Sequence, residues 1–254
     1  MSGALLGTTN LSLSFGGVHA VRDVTFEVEE GEVYSIIGPN GAGKTSIFNL
    51  ISRLYDADCG NIEYQGESII GTPPHNIARL GIARTFQNTE LFEHETVLKN
   101  MLIGRHIHRK TNFLSELFFL PGVSEQELQF RQIVEDVIDL LDLQSYRDQI
   151  IGSLPYGVRK MVEVARALCI QPKLLLLDEP SSGLNPEETE DVAFWIEDIN
   201  QDYGATIIMV EHDMNLVTRT SNRVMALADG AVLAIGSPDE IQNHPEVLRA
   251  YLGD

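Results

Sequence analysis

Residues 38–45 read GPNGAGKT and satisfy the pattern G-x-x-x-x-G-K-[ST]. That spacing is a device for holding phosphate. Gly38, Gly41 and Gly43 let backbone N–H groups converge on phosphate oxygens, with Pro39, Asn40 and Ala42 completing the loop. A helix opening at Lys44 adds the positive end of its dipole. Lys44 places a point charge on the β- and γ-phosphates, the Thr45 hydroxyl is a ligand for Mg²⁺, and Ser46 follows in the first turn. The second chemical element is LLLLDEP at 174–180, where an apolar strand ends in Asp178 and delivers a carboxylate toward the metal. Glu179 then stands where it can polarise a water. An acid after an apolar strand is by itself only a polar strand end. Beside a phosphate loop it implies hydrolysis of a nucleoside triphosphate with ATP and Mg²⁺ as the cofactors.

These groups need strands and helices to position them. Up to residue 37 the pattern is that of short alternating strands, NLSLSF, VTFEVEE and, after a Glu30-Gly31 turn, EVYSII. From Lys44 to Leu54 the spacing is helical, with Ile47, Leu50, Ile51 and Leu54 on one face. Residues 97–164 read as largely helical, VEDVIDLLDL being the clearest amphipathic piece. KLLLLDE and ATIIMVEH are continuous apolar runs, each preceded by a helix, which suits a parallel sheet covered on both faces. RVMALADGAVLAIG is a hairpin around Asp229-Gly230. The expected fold is one α/β core with a helical insertion.

Composition narrows the function classes. With 18 Lys and Arg against 37 Asp and Glu, the net charge is −19, so a counterion-displacing surface for nucleic acid is not expected. Cys59 and Cys169 stand in no metal-like spacing and read as buried reduced thiols. The N-terminus lacks the pattern of a signal peptide, and the LLLL at 174–177 is strand-length. The chain is expected to be cytoplasmic, with any membrane role reached through a partner.

Further stretches complete the constellation: Gln87 in RTFQN, LPYGV at 154–158, SSGLN after Glu179, and His212 in VEHD. With them the chain resembles the nucleotide-binding subunit of an ABC transporter. GIARTFQNTELFEHETVLKNMLIGRH, EPSSGLNPEET, VEHDMNLV and GSPDEIQNHPEVLRAYLG are similar to the ATP-binding subunit of branched-chain amino acid importers. The resemblance implies an α/β fold with a P-loop (RecA-like) core, an N-terminal antiparallel β subdomain and an inserted α-helical subdomain. It implies one nucleotide-binding domain over 1–254, its ATP-binding core at about 1–95 and 165–254 and its helical subdomain at about 96–164. Phe15 would stack on adenine, against a core reading of a strand phenylalanine. Gln87 would link the metal and the attacking water to the permease, against a surface-loop amide. His212 would hold the γ-phosphate.

In that family a five-residue signature, typically Leu-Ser-Gly-Gly-Gln, starts a helix and caps the ATP of the opposite subunit. Here Pro155, Tyr156 and Val158 replace the serine, first glycine and glutamine, and only Leu154 and Gly157 survive. What remains is a helix N-terminus after Gly157, with Arg159 and Lys160 nearby. Asn185 stands where most of the superfamily has aspartate. The resemblance implies partners: transmembrane permease subunits, a second ATPase subunit that is a paralogue or a copy, and indirectly a solute-binding protein, with this chain peripheral on the inner face of the membrane. Importers of urea, amides or aromatic acids and exporters of lipid or lipopolysaccharide are the alternatives. A DNA-maintenance ATPase would need a long coiled-coil insertion, and a translation-associated protein usually carries two cassettes; one P-loop is present. Finally, GRHIHRKTNFLSELFFL at 104–120 is a cationic cluster beside an apolar stretch. It reads either as a solvated loop followed by packing or as a face for the permease or anionic headgroups.

Overall fold

The computed structural model describes residues 4–85, 91–109 and 121–252. The N-terminal half runs β1 (Ala4–Phe15), β2 (Val18–Glu29), β3 (Val33–Ile37), α1 (Lys44–Ile51), β4 (Cys59–Tyr64), β5 (Glu67–Ser68), α2 (Pro74–Ile77) and β6 (Ile82–Arg84). Three α-helices among the described residues follow, α3 (Val97–Gly104), α4 (Pro121–Leu140) and α5 (Tyr156–Leu168). The chain then returns through β7 (Leu174–Asp178), α6 (Pro186–Gln201), β8 (Thr206–Val210), α7 (Met214–Thr220), β9 (Arg223–Ala228) and β10 (Ala231–Gly236), and ends in α8 (Pro238–Gln242) and α9 (Pro245–Leu252).

Two sheets result. A four-stranded antiparallel sheet has the order β2-β1-β4-β5, and a six-stranded sheet the order β10-β9-β3-β8-β7-β6. In the larger sheet the pairs β3/β9, β3/β8, β7/β8 and β6/β7 are parallel, and only the β9/β10 hairpin is antiparallel. The continuous apolar runs are explained by burial on both faces. Leu175, Leu177, Ile207 and Met209 pack toward the helices of the insertion and α6. Leu174, Leu176, Ile208 and Val210 pack toward α1 and the smaller sheet. This alternation is the two-residue period of a strand, read here as two cores rather than as core and solvent.

Three sequence expectations change. The first helix stops at Ile51, not Leu54: Arg53 adopts a left-handed φ of 59°, the N–H of Leu54 turns back to Asn49 O at 2.8 Å, and Leu54 is 48% exposed. Strands β4 to β6 were not legible, because Ile62 and Tyr64 are the only buried apolar residues of β4. Cys59 is exposed on β4, whereas Cys169 is buried and its thiol is pushed up to about 12, which leaves it unreactive.

Candidate functional site

β3, β8 and β7 are neighbours, and the loops leaving their carboxyl ends carry the phosphate loop, His212 and the Asp178-Glu179 pair. This is where open parallel sheets bind ligands, because helix N-termini and loops converge there. The phosphate loop is held by backbone contacts. A Cβ on Gly38 would lie 2.3 Å from Leu227 O, and one on Gly43 would lie 2.2 Å from Ala20 O. The Ala42 carbonyl accepts from Gly230 N at 3.1 Å, so the Asp229-Gly230 turn braces the loop from behind. Nothing in the sequence pointed to that brace. Pro39 is half-buried and its O accepts from Ala42 N at 3.2 Å, Gly41 lies in open space at φ 84°, and Asn40 is exposed. Thr45 is exposed and Ser46 half-buried in the first turn of α1.

Lys44 is buried, and its ammonium donates to Gly38 O at 2.6 Å and Pro39 O at 3.0 Å. Burial pulls its pKa below the usual lysine value, while Glu179 and Asp178 push the other way. Their pull on Lys44 reflects the convergence of the three charges. Asp178 is buried, and its Oδ2 accepts from Arg84 Nη2 at 2.8 Å. Glu179 is half-buried and has a left-handed backbone, φ 51°. Its N–H donates to Val210 O at 2.9 Å, and its carbonyl accepts from Lys160 Nζ at 2.9 Å. A non-glycine residue held in that conformation is a cost tolerated where position matters.

His212 is exposed. Its backbone is set by its buried neighbour Glu211, whose carboxylate accepts from the N–H groups of His212 at 2.8 Å, Asp213 at 3.3 Å and Ser181 at 2.8 Å. Glu211 therefore staples the end of β8 to the loop that follows Glu179. Sequence reasoning passed over it as part of VEHD.

The helix of the divergent signature begins at Tyr156, with Pro155 as its N-cap. Gly157 is thus inside the first turn rather than before it. Leu154 is buried, Val158 packs against the core, and Pro155 is exposed. Tyr156 lies over the following loop: a Cβ on Gly183 would be 3.1 Å from its ring. Lys160 spans from this helix to the carbonyls of Glu179 and Pro180 (3.2 Å). It is a tie within the chain, not only nearby charge. Asn185 caps α6, accepting from Glu188 N at 3.0 Å while Glu188 accepts from Asn185 N at 3.0 Å.

Phe15 is no core residue. It is 46% exposed and packs edge-to-face on Tyr55 at 5.2 Å. Gln87 lies outside the described residues. In the stretch 104–120, Arg105 is buried, donates to Cys169 O at 2.6 Å and Gln171 Oε1 at 3.0 Å, and anchors the carboxyl end of α5. It offers no charge to a membrane or a permease, and residues 110–120 lie outside the described set.

A hydroxyl and a carboxylate, from Thr45 and Asp178, are hard oxygen donors that suit Mg²⁺ shared with phosphate. The donor chemistry therefore fits the metal.

Comparison with known proteins agrees with this geometry. The family described as "ABC transporter" matches residues 21–182, and "Branched-chain amino acid ATP-binding cassette transporter" matches residues 231–254. The high-affinity branched-chain amino acid transport ATP-binding protein BraF of Pseudomonas aeruginosa is 40% identical, with the whole of both chains covered. The corresponding protein LivG of Escherichia coli is 37% identical over the whole of both chains. Among solved structures, the ADP conformation of an ATP-binding cassette of an ABC transporter superposes with a TM-score of 0.86 at 29% identity, covering 99% of this chain and 100% of that one. The chain belongs to the ABC transporter family as one of its ATP-binding cassettes, and it is similar over its whole length to those that serve branched-chain amino acids.

Proposed function

We propose that this chain is the ATP-binding and ATP-hydrolysing subunit of an ABC importer for branched-chain or related amino acids. The ATPase reading rests on the placement of Lys44, Asp178, Glu179 and His212 at the carboxyl ends of three neighbouring strands. Lys44 and the loop N–H groups bind the phosphates, and His212 reaches the γ-phosphate. Thr45 and Asp178 would hold Mg²⁺, with Gln87 as its third contact. The metal, when bound, neutralises charge on the β- and γ-phosphates. Glu179 accepts a hydrogen bond from the attacking water and orients it. The water oxygen bonds to the γ-phosphorus as the bond to the β–γ bridging oxygen breaks, leaving ADP and phosphate. Phe15, already exposed beside Tyr55, offers its ring to adenine.

The same chain presents Leu154–Val158 to the ATP of a second ATPase subunit. The assembly sits on the cytoplasmic face through permease subunits, fed by a solute-binding protein. No helix among the described residues is long and apolar enough to cross a membrane, so membrane attachment falls to the permease in this reading. The names of the relatives and the match over residues 231–254 support the amino-acid assignment. The test is uptake into proteoliposomes holding the complex. Leucine, isoleucine or valine should stimulate ATP hydrolysis and accumulate. Stimulation by urea, an amide or an aromatic acid alone would replace the solute, and outward lipid movement would replace the direction. In the same complex, Glu179→Gln should retain nucleotide and stall hydrolysis; turnover at the parental rate would remove Glu179 from its role.

A further inference from the structure

Arg84 is the last residue of the short edge strand β6, and its side chain is almost fully buried. One arm of the guanidinium, Nη2, holds Asp178 Oδ2 at 2.8 Å. The other, Nη1, donates to Asn49 Oδ1 at 2.7 Å and Ser52 Oγ at 3.2 Å, and the group lies 5.5 Å from the centre of the Phe48 ring. Asn49 and Ser52 stand four and seven positions after Thr45 and so share its face of the helix. Arg84 therefore brackets two elements, the end of β7 and the face of α1 that carries Thr45.

From this geometry we propose that Arg84 is a positioning residue for the metal–phosphate site. It pins one oxygen of Asp178, leaves the other for the metal, and sets the spacing between Asp178 and Thr45. The proposal rests on the reading of Asp178 and Thr45 as the metal-facing pair. A buried ion pair contributes little to stability compared with apolar residues of the same volume, so its value here lies in orientation. Lysine cannot replace it, because a single ammonium lacks the rigid fork that grips two elements at once.

The test is binding of Mn²⁺, followed by the loss of its free electron-spin-resonance signal, to the full-length chain saturated with a non-hydrolysable ATP analogue. Arg84→Lys should weaken Mn²⁺ binding by about 10-fold or more, as residues that orient a ligand typically do. Asn49→Ala, which leaves the ion pair intact, should weaken it by about 3-fold, a partial loss of the same orienting shell. Affinity for the analogue without metal should stay unchanged in both, since the contacts of Arg84 described above go to Asp178, Asn49, Ser52 and Phe48, all outside the loop. A lower melting temperature with unchanged Mn²⁺ affinity would make Arg84 a packing staple and overturn the proposal. If Arg84→Lys does not fold, Asn49→Ala and Ser52→Ala decide alone. Asp178→Asn separates the two levels: if it too leaves Mn²⁺ binding intact, the metal reading of Asp178 has failed, and if only Asp178→Asn weakens it, Arg84 alone is dismissed.

Discussion

The phosphate loop and the LPYGV segment, the two halves of the composite site in the proposed assembly, are built on opposite principles. The loop is held by backbone against backbone. Gly38 abuts Leu227 O, Gly43 abuts Ala20 O, and Ala42 O accepts from Gly230 N. LPYGV is held by side chains: Tyr156 over Gly183, Lys160 on two carbonyls, and Glu188 against Gly157. At Gly38 and Gly43 the backbone contacts leave no room for a Cβ. A side-chain-defined element can change its residues and keep its place. That difference explains how the loop keeps its full pattern while the signature keeps only Leu154 and Gly157.

The largest test of the comparison is functional asymmetry. Glu179→Gln removes the carboxylate proposed to orient the attacking water at the site built from this chain's loop, and the turnover of that site should fall by about 10²–10⁴-fold. The equivalent change in the proposed partner subunit, whose ATP would face LPYGV, should cost the complex less. Each contact missing from that signature is worth on the order of 1.5–3 kcal/mol when charge-assisted. Steady-state hydrolysis by both single variants in the reconstituted complex measures this. Equal losses would mean that Pro155 and Val158 are tolerated without consequence, as would a fully active homodimer of this chain.

A smaller effect separates the two halves by stability. Gly38→Ala sets a Cβ into a fixed carbonyl and should cost about 2–4 kcal/mol, together with ATP binding. Gly157→Ala meets Glu188 Oε1 at 2.9 Å, the end of a side chain that can swing away, so about 1 kcal/mol is expected. Thermal melts of both variants compare them directly, and equal shifts would erase the distinction. Smaller again, Lys160→Gln loosens the tie between the signature helix and Glu179. Hydrolysis should fall by about 10-fold with ATP affinity unchanged, from the loss of charge-assisted bonds to two carbonyls. A loss of ATP affinity instead would place Lys160 at the nucleotide.

The least effect is a pH dependence. Burial lowers the Lys44 pKa, so raising the pH discharges Lys44 earlier than an ordinary lysine, and phosphate affinity should fall on the alkaline side. Over that window the unfolded chain binds more protons than the folded one, so the contribution of Lys44 to folding stability rises with pH while affinity falls. Asp178→Asn removes one of the charges that oppose the shift and should move the fall to lower pH, measured by ATP-analogue titration. Movement to higher pH would mean that Asp178 does not act on Lys44.

The elements legible in the sequence were those with a local cause. Apolar runs at 174–177 and 206–210 are strands because each residue is buried, and the Asp229-Gly230 hairpin follows from its turn chemistry. Strand β4 was hidden because only two of its apolar side chains are buried, and its partner β1 is remote in sequence. The early end of α1 was hidden because Arg53 takes a left-handed conformation that no arginine advertises.

By itself the sequence carried the proposed chemistry: the residue types at 38–46, Asp178, Glu179 and His212 are those that phosphate and water would require, within short spans of chain. The tertiary structure alone decided what holds those groups in place. Arg84 meets Asp178, Glu211 meets Ser181, Lys160 meets Glu179 and Gly230 meets Ala42 across long stretches of chain. Such pairings leave no periodicity or spacing to read. They exist only because a parallel sheet brings the carboxyl ends of distant strands side by side.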